Sequence, residues 1–583
     1  MGRKAAVFAL MIVGIAAATR PATAACSMAK FGELPVTMTG LTPLVSVKIE
    51  GADVKLIADS GSFFNMLTPQ AAKRIGLHVH SAPYGLVVLG ATGAADVEEA
   101  TAKDFALLGI TLHHADFLVG APQFGDLTDG LLGENMLGYT DTEFDFSDGA
   151  IRLLQVKDCD KASLAYWSKT QYSVMAIREL TLHSDSIRGV VKVNGANVRA
   201  LFDTGAPRTI LDLKAARAAG VKLDGPGVKP GGMSGGIGRK VIETWIAPVD
   251  SFAIGDNEQV ENTKLRVGDI ELQDADMLVG ADFFLSHRIL VSKSQSKLYL
   301  SYVGGPVFNL DNPDAAPASQ PQVAVAAGDQ PTDAGGYARR GDAFAARNQY
   351  AAAIADFSRA VQLEPGEPQH LIDRCGAYLR SGQPDLALAD FTAALKLKPD
   401  DVKALMARAR LLQSRGDDAA ASADLDAATR LDPTERRSVV EIYISAKRYP
   451  EAVAEFDAWI STGPKDAELA TALDGRCWTR GVWGRDLDKA EADCDAALKL
   501  APGDASVLES RGLVRLRAGE FDKAIADDNA ALRESPQYVW SRYCRGIAEL
   551  RKGLKTQGEA DIAAASKSDP DLADRAKAFG LTP

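Results

Sequence analysis

Asp59-Ser60-Gly61 and Asp203-Thr204-Gly205 stand 144 residues apart, each at the end of an apolar run, Leu56-Ile57-Ala58 and Ala200-Leu201-Phe202. The match extends upstream, where Val47-Lys48-x-x-Gly51-Ala52-x-Val54 returns at the same offset as Val191-Lys192-x-x-Gly195-Ala196-x-Val198. Downstream, Thr68 with Pro69 and Gly76 mark the start and stop of a predicted helix, and Asp212 and Gly220 mark them again at the same offset. A strand, a turn and a helix are duplicated, and each copy delivers one carboxylate. Chemistry that needs two facing aspartates is built this way.

A lone Asp-Ser/Thr-Gly triplet is weak evidence, because these residues fill ordinary turns. Here each triplet is followed about 70 residues later by two apolar residues and a glycine, Leu131-Leu132-Gly133 in one copy and Leu278-Val279-Gly280 in the other. The offset has slipped to 147 at that point, which predicts a three-residue insertion in the intervening hairpins. Each copy also has a glycine-rich stretch between triplet and apolar-Gly segment: Leu89-Gly90-Ala91-Thr92-Gly93, and 231–238 with Gly235 and Gly236. The second is not a phosphate loop, since no Gly-Lys-Ser/Thr follows.

The region from about Leu41 to Leu300 resembles the retropepsin-like aspartic proteases, in the bacterial single-chain form with two tandem halves. The resemblance implies an all-β pseudo-dimer in which Asp59 and Asp203 are the catalytic pair, facing each other across a pseudo-twofold axis. Ser60 and Thr204 would hydrogen-bond across that axis, and Gly61 and Gly205 would keep the backbone close. Gly90, Gly93, Gly235 and Gly236 would belong to hairpin flaps over the substrate. Leu131, Leu132, Gly133, Leu278, Val279 and Gly280 would pass under the active turns. Phe63 and Phe64, bulkier than the residues usual after the first triplet, would narrow the cleft. No cofactor or metal is implied; His78 with His80, and His113 with His114, have no fixed carboxylate companion.

With 583 residues the chain exceeds what one core serves, roughly 250 residues. After Gly304 come Pro306, Pro313, Pro317, Pro321 and Pro331 among Ala, Gly, Ser and Gln, the composition of a semi-extended linker. Beyond it Pro365, Pro399 and Pro433 are 34 apart, and so are Pro502, Pro536 and Pro570. Tyr337, Gly341, Phe344, Tyr350, Ala353, Phe357 and Ala360 alternate aromatic and small residues within that period. This array resembles tetratricopeptide repeats, about seven copies over 334–583, an all-α solenoid of helical hairpins. Pro464 to Pro502 is longer than the period, which predicts an extended loop near Trp483-Gly484-Arg485 in the fifth repeat. Counted against the repeat, Cys477 falls on the first helix of that hairpin and Cys494 on the second, and the two are expected to form a disulfide. Cys26 with Cys159 is a second candidate pair, and Cys375 falls on a buried repeat position.

The domains expected are thus 1–25 a signal peptide, 26–158 and 159–305 the two halves, 306–333 the linker and 334–583 the repeats. The signal reading rests on Arg3-Lys4, an apolar run from Ala5 to Ala18 too short to span a bilayer, and the small residues Ala22-Thr23-Ala24-Ala25. It implies export to the periplasm or beyond; lipidation at Cys26 is disfavoured by Thr23, where an apolar residue is wanted. A net charge of −12 without a basic tract disfavours nucleic acid as a partner. Two functions compete: a monomeric aspartic endopeptidase whose repeats dock a substrate or partner protein, and a non-catalytic peptide-binding scaffold. Retention of both aspartates favours the enzyme, since a binder has no need of two mutually repelling carboxylates.

Overall fold

Glu50 and Gly51 both have positive φ, 51° and 79°, and so do Asn194 and Gly195, 49° and 79°. Turns of this kind match the twist of paired strands, and each joins an antiparallel hairpin: Thr42–Ile49 with Ala52–Ala58, and Ile187–Val193 with Ala196–Phe202. The computed structural model describes residues 26–83, 86–90, 93–120, 127–168, 171–178, 186–235, 242–308, 310, 330–569 and 571–583. Residues 1–25, expected above to be a signal peptide, and most of the Pro-rich linker lie outside these.

Each half builds its own sheet, nine-stranded in the first and seven-stranded in the second. Helix α1 (Pro69–Ile75) starts at Thr68, whose hydroxyl accepts from Ala71 N–H, and ends at Gly76 with φ 81°. A short helix α2 (Glu134–Leu137) follows Gly133. The second half repeats both, with α3 (Leu213–Ala218) capped by the Asp212 carboxylate and α4 (Ala281–Ser286) following Gly280.

A third, six-stranded sheet draws on both halves. At its centre Asp141–Asp145 pairs antiparallel with His287–Ser292, Thr142 opposite Val291 and Phe144 opposite Ile289. These strands occupy equivalent places in the two copies, and an antiparallel pair of equivalents is what a twofold axis produces. Beneath, Phe144 meets Phe284 edge-on at 5.4 Å and Phe202 meets Phe284 at 6.4 Å, so aromatic residues of both halves fill one core.

The compact unit that holds both halves continues to Gln383. Val307, Phe308 and Leu310, which open the Pro-rich stretch, pack on its core, Phe308 lying 5.0 Å from Phe252. Helices α5 (Ala334–Ala346), α6 (Tyr350–Leu363) and α7 (Pro368–Arg380) complete it. Ala343 of α5 is fully buried in the same core, and Arg347 donates to the Gly304 carbonyl over 3.3 Å.

The second unit, Pro384–Pro583, is a run of helices from α8 (Pro384–Leu397) to α19 (Leu572–Ala578). Small buried residues at the helix contacts, such as Ala421, Ala490, Ala497, Ala524 and Ala531, let the hairpins close. An Arg–Asp pair ties hairpin after hairpin: Arg408 to Asp424, Arg511 to Asp527 and Arg545 to Asp561, each bidentate; Arg340 and Asp356 make the same pair in the first unit. In the fifth repeat the extra residues do not lengthen a loop as expected. They extend its first helix, α13 (Asp466–Trp483), to 18 residues, and Gly484 in the left-handed conformation ends it. The added turn is stabilised by packing, with Thr479, Gly481 and Val482 buried.

Candidate active site

The two triplets meet at the centre of the first unit. Ala52–Ala58 runs parallel to Gly130–Leu132, and Ala196–Phe202 runs parallel to Met277–Val279, so each apolar-Gly segment lies beside the strand that delivers its aspartate. The ladders continue into the active turns: Asp59 N–H donates to Leu132 O and Asp203 N–H to Val279 O, both at 2.9 Å. Leu132 and Val279 are fully buried, Leu131 and Leu278 nearly so.

The turns lock each other. Ser60 N–H donates to Thr204 Oγ1 (2.9 Å) and Thr204 N–H to Ser60 Oγ (3.0 Å). In return the Thr204 hydroxyl donates to Ala58 O (2.7 Å) and the Ser60 hydroxyl to Phe202 O (3.1 Å). Both side chains are fully buried. Gly61 and Gly205 face the opposite carboxylates, and a Cβ on either would collide with Asp203 or Asp59 respectively.

Each carboxylate is held from its own turn. Asp59 Oδ1 accepts from Gly61 N–H (2.8 Å) and Ser62 N–H (3.1 Å), and Asp203 Oδ1 accepts from Gly205 N–H (2.9 Å) and Ala206 N–H (3.1 Å). Burial, then the neighbouring Asp203 charge, pushes Asp59 well above the ordinary carboxylate range. Burial also raises Asp203, with the hydrogen bond to Asp59 opposing it. Two close carboxyls that share a hydrogen bond hold one proton between them and titrate as a pair.

Two residues that the motif reading passed over hold the apolar-Gly segments. Asn65 Oδ1 accepts from Gly133 N–H and Thr209 Oγ1 accepts from Gly280 N–H, both at 3.0 Å. They too are 144 residues apart, so the duplication carried the signal although the residue types differ. A Cβ on Gly133 or Gly280 would strike backbone of the active-turn loops, which is why both positions are glycine.

Gly90 pairs with Gly93 where Val87–Gly90 runs antiparallel to Gly93–Leu107, and Ala91 and Thr92 lie outside the described residues. In the second half Lys229–Ser234 pairs with Ile242–Ile254, and Gly235 follows the first of these strands; Gly236 lies outside the described residues. Leu86, Val88, Met233 and Ile242 from these hairpins line the cleft with the dyad, as do Phe63 and Phe64, which remain partly exposed. Cys477 on α13 is bonded to Cys494 on α14 (Leu487–Leu500), and Cys26 to Cys159. Cys375 is buried and outside any disulfide.

Paired β-lobes, interlocked Asp-Ser/Thr-Gly turns and covering hairpins define an aspartic-protease fold of retropepsin type carried on one chain. Residues 45–136 and 190–283 match the family model of aspartyl proteases, and residues 377–436 and 484–539 that of tetratricopeptide repeats. The chain therefore joins a tandem aspartyl-protease region to a tetratricopeptide array. Among solved structures it is similar to a tetratricopeptide repeat protein from Parabacteroides merdae ATCC 43184, at 20% identity over 40% of this chain and 92% of that one (TM-score 0.30). It is also similar to the aspartic proteinase from Irpex lacteus, at 14% identity over 47% of this chain and 97% of that one (TM-score 0.31). The comparison with curated proteins returns no match.

Proposed function

We propose that the protein is an exported, monomeric aspartic endopeptidase. One observation carries the reading: two buried carboxyls, each fixed by two main-chain N–H groups and each facing the opposite turn, with a cleft before them. The pair shares a proton. Its ionised member takes a proton from a water between them, and the resulting oxygen attacks the peptide carbonyl. The protonated member hydrogen-bonds the developing oxyanion, and a proton then passes to the leaving amine. Export is supported by the leader-like sequence and by two disulfides, which persist in oxidising compartments. A single-chain site is supported by pairing within one chain, where a tether gives an effective concentration of about millimolar.

The test is to incubate the purified protein with a peptide library across a pH series, with and without a pepstatin-like inhibitor. Inhibitor-sensitive cleavage, first order in protein and absent from Asp203→Asn, is the expected result. Cleavage that survives in Asp203→Asn, or is restored by mixing Asp59→Asn with Asp203→Asn, would overturn the single-dyad reading. Inhibitor-sensitive peptide binding without cleavage would favour the non-catalytic binder.

A further inference from the structure

The cleft does not end at the two β-lobes. One cavity of about 1900 Å³ runs from Asp59 and Asp203 past the turn at Thr39–Thr42 to helices α5 and α7. A pocket for one small molecule measures about 300–1,000 Å³. On α5 the wall is formed by Ala338, Asp342 and Ala345, and on α7 by Asp373, Gly376 and Arg380. These positions recur every three or four residues, so each helix turns one face to the cavity along most of its length. Alanine and glycine alternate in this wall with Asp342, Asp373 and Arg380, so small side chains leave room for an extended main chain and charged ones stand within reach of its amide groups. The wall is also fixed: Ala343 sits in the β-lobe core and Arg347 is bonded to Gly304, so α5 is not a module on a tether.

We propose that α5 and α7 are part of the substrate groove, so that the enzyme takes an extended polypeptide with one stretch at the dyad and another along these two helices. The inference rests on the protease reading in taking the cleft to hold a peptide chain. It changes the role of the first repeats from a separate docking platform to subsites of the active-site cleft.

Gly376 offers a clean test. It lies exposed within α7, and a Cβ there would meet nothing within 4 Å. A larger side chain fits the helix, where only proline is less favoured than glycine, and projects into open space. Two fluorescent peptides share one central cleaved sequence, a short one of about 6 residues (roughly 20 Å extended) and a long one of about 20 residues (roughly 66 Å). Their binding is measured on the full-length Asp203→Asn protein, and their cleavage on the full-length active one. The long peptide should bind more tightly, and Gly376→Trp should weaken it about tenfold, a change of about 1.4 kcal/mol, while sparing the short one. Gly376→Ala should change neither, and Gly376→Arg should reproduce the block if the Trp variant misfolds. Equal affinity for the two peptides, or indifference of the long one to both bulky variants, would overturn the groove. Gly376-dependent binding with no cleavage by the active protein would sink the catalytic reading and leave the groove standing.

Discussion

Ser60 and Thr204 exchange hydrogen bonds across the pseudo-twofold axis, each main-chain N–H donating to the other's hydroxyl at 2.9 and 3.0 Å. Neither hydroxyl reaches solvent, and each also donates to the opposite strand's last carbonyl. Four bonds that join the halves thus lie directly beneath the dyad and fix how closely the two aspartates approach.

Thr204→Val should test this tie. It removes the acceptor for Ser60 N–H and the donor to Ala58 O, leaving two buried groups unsatisfied at about 1–3 kcal/mol each. A loss of about 2–6 kcal/mol in denaturant unfolding of the first unit is expected, with reduced cleavage. An unchanged unfolding midpoint would show that the hydroxyl carries no structural load.

Asp59→Asn and Asp203→Asn should each reduce cleavage below detection, a loss of at least about 10²–10⁴-fold, the range for loss of a general acid–base group. Stability should move the other way. Both carboxyls have raised pKa values, so the folded protein keeps a proton that the unfolded chain has released. Stability from this source is present at low pH and is lost as pH rises from the ordinary aspartate value through the folded one. Each Asn variant should therefore melt higher than wild type at neutral pH, and wild-type cleavage should fall along the same alkaline limb as the shared proton leaves.

Asp528 on α16 (Phe521–Glu534) is fully buried, and neither of its carboxylate oxygens has a hydrogen-bond partner among the described residues. Burial, then the nearby Glu509, pushes it well above the ordinary range, and burial pushes Glu509 itself up to about 7. By the same sign, the second unit should lose stability as pH rises from the ordinary glutamate range through about 7. Asp528→Asn should raise its melting temperature at pH 8 and flatten that dependence. A melting temperature that is independent of pH in wild type would contradict the assignment.

Where the chain is cut should matter. Ending it after residue 305 removes Phe308 and Ala343 from the β-lobe core and the Arg347 bond to Gly304. A chain of 26–383 keeps them and should unfold cooperatively with the dyad intact, whereas 26–305 should be destabilised by several kcal/mol, since losing one large buried side chain costs about 2–5. Circular dichroism melts of the two fragments would decide; equal stability would mean that α5 is dispensable to the fold.

The bond between Cys477 and Cys494 closes a 17-residue separation. A loop of that size is worth about 3 kcal/mol in the chain-entropy estimate. Replacing both with alanine should lower the stability of the second unit by about that amount. Non-reducing peptide mapping of wild type should recover the linked pair, and free thiols at both positions would remove the basis for the effect.

Features that depend on neighbours in the chain were readable from the sequence. The turn Glu50-Gly51, the Thr68 and Asp212 caps, the stop at Gly76, and the triplets at Asp59 and Asp203 all follow from local backbone preference, repeated at one offset. The 34-residue period of prolines and small residues marked the helical hairpins for the same reason. What escaped depends on partners that the chain supplies from far away. Asn65 and Thr209 look like ordinary polar residues until Gly133 and Gly280, some 68 and 71 residues on, are laid against them. The extra residues of the fifth repeat became helix because Thr479, Gly481 and Val482 found a buried place, which no local propensity specifies. The approach of α5 and α7 to the cleft that holds Asp59 and Asp203 is of this kind as well. A linker sequence encodes how freely a helix can move, and only the packing of Ala343 and the bond from Arg347 determine where it comes to rest.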